Sequence, residues 1–599
     1  MGKKLQGYMD RLFSRTSHAG LEGAKLRYTA AAVAVIGFAL FGYDQGLMSG
    51  LITGTKFNEE FPATKGDDRR ATVIQGAVTA CYELGCFVGS LFVMFYGDGI
   101  GRKPLIIFGA CITIIGTVIS TCPFHESWGL GQFVVGRVVT GVGTGFNTST
   151  IPVWQSEMTK PNIRGAMINL DGSVIALGTM IAYWLDFGFS FINSSVQWRF
   201  PVSVQIIFAL VLLFGIIRMP ESPRWLISKG KNEDARYVLA KLNGVQEDDD
   251  EIYAEMTALI EAVNRTSNQQ SQMKSLFSNG KSQNLSRALI ASSTQFFQQF
   301  TGCNAAIYYS TVLFQKSLKL GHVRSMILGG AFASVYALST LPSFYLVEKV
   351  GRRKMFFFGA LGQAISFTIT FACLCRPTKQ NSKGAAVGLY LFIVCFGLAI
   401  LELPWIYPPE IASMRVRAAT NALSTCTNWI TNFAVVMFTP VFIQTSQWGC
   451  YLFFALMNFI YLPVIFFFYP ETAGRSLEEI DIIFAKAYVD GTLPWRVAHT
   501  LPKLTMQEVE DYSNSLGLHE DDAEKEEYDE KHQGANNDAL FHMETSSTAS
   551  NKDDAPVEHR EVQESAKDTT NSMPRNLHQH DDDEDEDEDE DEEEEQQVK

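Results

Sequence analysis

Charge is almost missing from one long stretch of this sequence: between Tyr28 and Leu51 the sole charged side chain is Asp44. A run of that kind is too apolar for a solvent-facing loop and long enough to cross a bilayer core as a helix. Other absences narrow the chemistry. The chain has no nucleotide-binding loop, no metal-ligand cluster and no nucleophile arrangement, so an enzyme, a metal site and a bound cofactor are not expected. The ten cysteines (positions 81, 86, 111, 122, 303, 373, 375, 395, 426 and 450) fall in or at the ends of apolar runs without metal-type spacing. They read as small apolar residues facing helix neighbours, Cys373 and Cys375 being the pair with access to an outer surface. No small-residue cleavage site separates the basic N-terminus from the first apolar run, and Gln6 stands where a myristoylation signal wants Ser or Thr.

What is present is apolar and unevenly charged. Hydrophobic residues make up 46% of 599, with 43 phenylalanines gathered in long runs. Residues 1–500 hold 41 Lys+Arg against 31 Asp+Glu, whereas residues 501–599 hold 8 against 34, so the net charge of −16 conceals a basic body and an acidic end. That end, 501–599, is poor in aromatics and is expected to be a disordered tail. Its acidic run 581–595, preceded by His578 and His580, is either a solvated end or a surface for cations or cytoplasmic partners. Nucleic acid is not an expected partner.

A transmembrane helix needs about 20 apolar residues. Twelve segments qualify, near 28–51, 72–96, 104–122, 130–153, 164–188, 199–219, 285–313, 323–347, 355–375, 386–408, 418–444 and 448–469. The expected fold is an all-α membrane protein of twelve transmembrane helices. Basic residues crowd the N-terminal arm (Lys3, Lys4, Arg11, Arg15, Lys25, Arg27) and the loops at 102–103, 160–164, 349–354 and 415–417. All lie on the side of the termini, which places both ends in the cytoplasm.

The two halves of the body repeat. YGDGIGRKP after the second span is echoed by LVEKVGRRKM after the eighth, putting Asp98 and Arg102 in register with Glu348 and Arg352. PVWQSEMTKPNIRG after the fourth is echoed by LPWIYPPEIASMRVRA after the tenth, matching Glu157 and Arg164 with Glu410 and Arg417. PESPRWL after the sixth is echoed by PETAGRSLEEI after the twelfth, matching Glu221 with Glu471. The domain plan is then a cytoplasmic arm (1–27), a six-helix bundle (28–219), a cytoplasmic linker with short helices (220–284), a second, pseudo-symmetric six-helix bundle (285–469), a post-membrane segment (470–500) and the tail. Each motif alone reads as a charged loop that fixes topology; in register, the acids and arginines read as a cytoplasmic gate network tying the halves together when the inner side is closed. Within the linker, Asn264 and Asn284 head sequons on the cytoplasmic side, whereas Asn193 heads one in an outer loop, open to glycosylation.

Asp44 lies seven residues before the outer end of its span, and Arg137, the single charge of span four, lies seven residues from the outer end of its own. At 1.5 Å per residue both sit about 10 Å deep, so they are placed to pair. An ionisable residue in the membrane faces a partner or a water-filled path. The pair therefore reads either as a proton-coupling device or as a static link between spans one and four. Glu83, Asp171, Asp186 and Glu402 are the other intramembrane acids; Asp186 is close enough to the outer boundary to be solvated, and Asp171 and Glu83 are deeper candidates for accepting a substrate hydroxyl. Span seven, STQFFQQFTGCNAAIYYS, offers Gln298, Gln299, Asn304 and Tyr308, and span eleven offers Asn428 and Asn432 on one face. Trp405 follows Pro404 in span ten as a flat wall with one N–H donor. Dense neutral amides suit a ligand with many hydroxyls, though amides also serve as glue between membrane helices.

FGYDQG, GRKP, GRVVTGVGTG, PVWQSE, PESPRWL, QQFTGCN, GRRK and PETAGRSLEEI resemble the sugar porter family of the major facilitator superfamily, over residues of about 26–480. The resemblance implies two pseudo-symmetric bundles, a central site and alternating access. It implies for Asp44 and Arg137 the pair that takes up a proton, and for Gln298, Gln299, Asn304, Trp405, Asn428 and Asn432 the sugar-binding positions. Two positions depart from hexose carriers: a glutamine of span five is replaced by Gly172, and an asparagine of span eight by Tyr336. Losing two amides argues for a substrate smaller than a hexose. FPATKGDDRRATVIQGAVTACYELGCFVGSLFVMF and YPETAGRSLEEIDIIFAKAYVDGTLPWRVA are similar to the glycerol/proton symporters of this family. The expected function is thus proton-coupled uptake of glycerol, a small neutral polyol, across the plasma membrane, with the lipid bilayer and the proton as the other partners. A proton-coupled or passive hexose or pentose transporter and a non-transporting nutrient receptor are the alternatives.

Overall fold

The computed structural model describes residues 16–18, 20–66, 68–122, 129–159, 164–264, 275–316, 320–376 and 378–517. Much of the N-terminal basic arm, the loop 160–163 and the tail beyond 517, with its acidic run, lie outside the described residues. So does the side chain of Arg164.

Every regular element among the described residues is a helix. The first half comprises α1 (Gly23–Leu51), α2 (Arg69–Ile100), α3 (Arg102–Thr121), α4 (Gly129–Met158), α5 (Arg164–Phe189) and α6 (Val196–Ile217). The second half is more interrupted. Here α7 (Asn284–Phe300) and α8 (Cys303–Lys316) flank Gly302, whose φ of +93° only glycine adopts freely, and α9 (His322–Thr340) meets α10 (Ser343–Val350) at a 45° bend. After α11 (Arg352–Cys375), α12 (Lys379–Cys395) runs through a π-helical turn at Phe396–Ile400 into α13 (Leu403–Ile411), followed by α14 (Arg417–Thr445) and α15 (Gln447–Phe468).

Among the described residues nine helices are long and apolar enough to cross a membrane, or ten if α9 and α10 form one bent span. The expected twelve therefore stand at nine or ten by length and apolarity. The expected spans that fall short are α4 and the pair α7 and α8, with α9 and α10 a third if those are counted apart. α4 carries Arg137 and many small polar residues, which lower its apolarity, whereas the break at Gly302 leaves α7 and α8 with 17 and 14 residues, each too short to cross alone. Phe95, Phe108, Ile115, Phe214 and Leu456 are exposed on the outer faces, where lipid, not water, is the solvent such side chains suit.

Close helix contacts follow the small residues. Gly42, Gly46 and Gly50 share one face of α1 and lie on α5: a Cβ at Gly42 would overlap the Ile175 carbonyl, one at Gly46 would stand 2.7 Å from the Thr179 carbonyl, and one at Gly50 would strike Asp186. Gly85 and Gly89 of α2 meet Gly141 and Gly145 of α4 in the same manner. Where backbones approach this closely, dispersion contacts and weak polar contacts replace the hydrophobic drive that lipid cannot supply. The halves touch through α1 and α8, α2 and α14, and α5 and α9.

Short helices at Pro223–Ser228, Asn232–Asn243 and Asp250–Asn264 fill the linker, and the Arg27 guanidinium donates to the Leu242 carbonyl at 2.7 Å, fastening the start of α1 to them. After α15 come helices Leu477–Val489, Pro494–Thr500 and Met506–Ser515. The last is a correction to the expected start of the disordered tail at 501. Thr505 and Glu508 form a reciprocal cap that satisfies the first amides of this helix, and Leu504, Val509 and Leu516 pack on the core, which is enough to fold this segment. All ten cysteines are free, Cys373 and Cys375 included.

Candidate functional site

The crossing of α1 and α4 brings Asp44 and Arg137 into direct contact, the Arg137 Nη1 donating to Asp44 Oδ1. Both side chains are at most 2% exposed. The guanidinium also lies over the Tyr82 ring, 4.5 Å from its centroid, and Tyr82 and Gln205 face the same carboxylate. Arg137 Nε and Nη2 have no hydrogen-bond partner among the described residues, so the aspartate is the principal neutralising group for a buried cation.

Gln45, the next residue along α1, donates to Asn304 Oδ1 at 3.3 Å and so joins the ion pair to the second half. Asn304 in turn donates to Gln299 Oε1 and to Asn432 Oδ1, both at 2.8 Å. Asn428 donates to Gln295 Oε1 at 2.6 Å and Gln298 Oε1 at 3.0 Å. Tyr308 donates to Glu83 of the first half, and Asn432 faces the same carboxylate. The expected site residues of α7, α8 and α14 thus fall into three neighbouring hydrogen-bonded groups: Asn304 with Gln299, Asn432 and Gln45; Asn428 with Gln298 and Gln295; and Tyr308 with Glu83. Gln295 lies three residues before Gln298 on the same helix, a spacing that puts it on the same face and marks it in the sequence.

Gln298 also has a structural task. It donates to the Ile400 and Leu401 carbonyls at 2.9 and 3.0 Å, and Gln295 donates to the Pro404 carbonyl at 2.8 Å. These carbonyls lie where the π-turn and Pro404 interrupt span ten, so α7 amides satisfy backbone acceptors around the break. Trp405 is half-buried in the first turn of α13. Tyr336 is buried against Phe396, with ring centroids 5.7 Å apart, and its hydroxyl has no partner among the described residues. Asp171 accepts from Gln155 Nε2 at 3.2 Å. Asp186, expected near solvent, is buried instead, because α5 packs it on Gly50.

The sequence repeat becomes a geometric one. In the first half Arg102 bridges Glu157 (3.1 Å) and Asp98 (2.8 Å), while Glu221 accepts from the backbone amides of Arg102 and Lys103. In the second half Arg352 bridges Glu410 and Glu348, both at 2.9 Å, while Glu471 accepts from the amides of Arg352 and Arg353. Gly101 and Gly351 have φ of +109° and +97°, and a Cβ on either would stand 2.7 and 2.6 Å from the receiving glutamate. These pairs run within each half in this state, whereas the expected link across the halves belongs to a state closed on this side. The reason is spatial: a cavity of about 490 Å³, lined by Asp98 and Arg102 on one side and by Ala418, Asn421 and Thr425 of α14 on the other, separates the halves at this level. Arg417 donates to the Ala412 carbonyl at 3.5 Å. At the opposite end the halves are joined: Ser49 donates to Thr311 at 3.0 Å, Tyr183 bonds Ser310 at 2.6 Å, and Trp184 donates to Ser334 at 2.9 Å.

Two halves joined at one end, parted at the other, and crossed in the middle by a buried polar cluster are the arrangement of a membrane carrier. A family profile described as "Sugar (and other) transporter" matches residues 30–484. The chain belongs to that family, the sugar porters of the major facilitator superfamily, and it is a transporter, not an enzyme. It is 68% identical over 530 residues to "Sugar transporter STL1" of Saccharomyces cerevisiae, covering 88% of this chain and 93% of that protein. It is 53% identical over 514 residues to "Major facilitator superfamily transporter mfsA" of Aspergillus fumigatus, covering 85% of this chain and 95% of that protein. Its fold matches the proton:xylose symporter XylE bound to 6-bromo-6-deoxy-D-glucose with a TM-score of 0.66 at 22% identity, covering 76% of this chain and 99% of that one.

Proposed function

We propose that this chain is a plasma-membrane symporter that takes up glycerol with a proton by alternating access of its two six-helix halves, both termini being cytoplasmic. The observation that carries the reading is the bond between Gln45 and Asn304: the residue beside the buried Asp44 and Arg137 pair is tied to the amide cluster that is placed to hold a hydroxylated ligand. Protonation of Asp44 removes the charge that holds Arg137, α1 is then freed to shift against α4, and the amides of α8 and α14 feel that shift through Gln45. Substrate hydroxyls compete with the bonds the amides make to one another, so occupancy and proton uptake act on one network. The cavity at the end that carries the termini is the exit path in this state.

The test is uptake of radiolabelled glycerol, sorbitol, xylose and glucose by cells lacking their own carriers, with external pH recorded. Glycerol uptake that alkalinises the medium and stops when the proton gradient is collapsed is expected. Uptake indifferent to the gradient, or strong competition by glucose, would instead identify a hexose or pentose facilitator.

A further inference from the structure

Glu402 sits in the break of span ten, between the π-turn and α13, at 1% exposure. Its carboxylate crosses the boundary between the halves and lies against the Cα of Gly172 on α5, where a Cβ would overlap both carboxylate oxygens. Asp171, the neighbouring residue, bears on the same carboxylate and is itself held by Gln155. Tyr336 of α9 packs on Phe396 in the same break of span ten. Two polar atoms here, Glu402 Oε1 and Tyr336 Oη, are buried and have no hydrogen-bond partner among the described residues. Buried polar atoms are normally satisfied, and two left open around one break in span ten point to a partner that arrives from outside.

The chemistry of that partner follows from what surrounds the gap. Two carboxylates and a phenol repel an anion. A diol suits them: adjacent hydroxyls donate to a carboxylate, and the phenol both donates and accepts. Size follows from Gly172, since the room a side chain would use there is already taken by the Glu402 carboxylate, leaving less for a ring. Gln298 holds the Leu401 carbonyl next door, which fixes the acid beside the amide cluster.

We propose that Glu402, supported by Asp171 and Tyr336, is a hydroxyl-binding, specificity-determining subsite, and that its seat on Gly172 restricts the carried compound to a short polyol. The proposal deepens the reading of this chain as a carrier of small polyols and rests on it. Uptake kinetics of radiolabelled glycerol, with erythritol, xylitol, sorbitol and glucose as competitors, test it in wild type, Glu402→Gln, Glu402→Ala and Tyr336→Phe, each normalised to the amount at the cell surface. Loss of one hydrogen bond at the carboxyl raises KM about fivefold in Glu402→Gln with Vmax nearly kept. Glu402→Ala opens the space at Gly172 and moves the competitor ranking toward xylitol and sorbitol, and Tyr336→Phe raises KM less than Glu402→Gln does. Unchanged KM and ranking in both Glu402 variants overturn the proposal. So does loss of proton coupling in Glu402→Gln at unchanged KM, or uptake that requires sodium and loses that requirement in Glu402→Gln. Should Glu402→Ala fail to reach the surface, the isosteric Glu402→Gln decides. If wild type carries xylose and not glycerol, the reading of the cargo fails, and the same variants scored on xylose still decide the subsite.

Discussion

Asp44 and Arg137 neutralise one another across the contact of α1 and α4, with Gln45 beside them bonded to Asn304 of the other half. Each of the two charges is therefore hostage to the other. Replacing Asp44 with Asn keeps the volume but leaves a buried guanidinium without its counter-charge, which costs about 3–5 kcal/mol when one partner of a buried pair is removed. Asp44→Asn is expected to abolish accumulation of substrate against a gradient and to lower Tm in detergent, and Asp44→Asn with Arg137→Gln to recover part of that Tm. Thermal unfolding of the purified variants and accumulation assays in cells check both. Accumulation persisting in Asp44→Asn would sink the coupling role.

Gly101 and Gly351 make the same turn in the two halves, each with its Cα close to the glutamate that caps the next helix. Alanine at either position meets both the positive φ and the carboxylate. Each substitution is expected to destabilise by about 1–3 kcal/mol, and in proportion to lower Tm; two alanines in separate halves should add. An alanine variant as stable as wild type would show that the turn can relax.

Two truncations test the C-terminal part of the chain. Ending the chain at 517 removes the acidic run 581–595 but keeps the helix Met506–Ser515, and should leave uptake and Tm unchanged. Ending it at 500 removes Leu504, Val509 and Leu516 from the core, along with the amide of Leu504 that donates to Glu479 at 2.6 Å, and should lower Tm. Uptake kept in the shorter chain argues for a carrier; uptake kept while a nutrient signal is lost would argue for a receptor.

The cap at Thr505 gives a pH dependence with a definite sign. Hydrogen bonds from the Thr505 amide and hydroxyl hold the Glu508 carboxyl below its usual 4.5. A depressed carboxyl stabilises the folded form above its unfolded pKa, and that contribution fades as pH falls through the folded value. Amide exchange in Met506–Ser515 should therefore quicken as pH falls below 4.5 and through the depressed folded value, after correction for intrinsic rates. Glu508→Gln should exchange faster at neutral pH and flatten that change.

Much of this architecture is legible in the sequence because membranes impose a harsh rule: apolar length shows the helices, and a lone acid and a lone arginine at matched depth show each other. The amides of α7, α8 and α14 declare themselves by density. What the sequence hides is partnership. The repeat of Asp98, Arg102 and Glu157 as Glu348, Arg352 and Glu410 is plain in the rows, but nothing there says that each arginine chooses acids of its own half. Glu402 stands as one acid among four until the break in span ten sets it on Gly172, and the absence of a side chain at 172 becomes informative only when something is seen to fill it. The helix Met506–Ser515 is signalled by Thr505 and Glu508 at capping-box spacing and masked by the acidic average of the sequence after 500.

The arginine clusters bear on what holds this state together. In it Arg102 and Arg352 each bond acids of their own half. The bonds that join the halves at the opposite end are hydroxyl contacts such as Ser49 with Thr311 and Tyr183 with Ser310, each worth about 1 kcal/mol. Such clasps open on thermal energy alone, so under the proposed coupling the proton and the substrate set the direction.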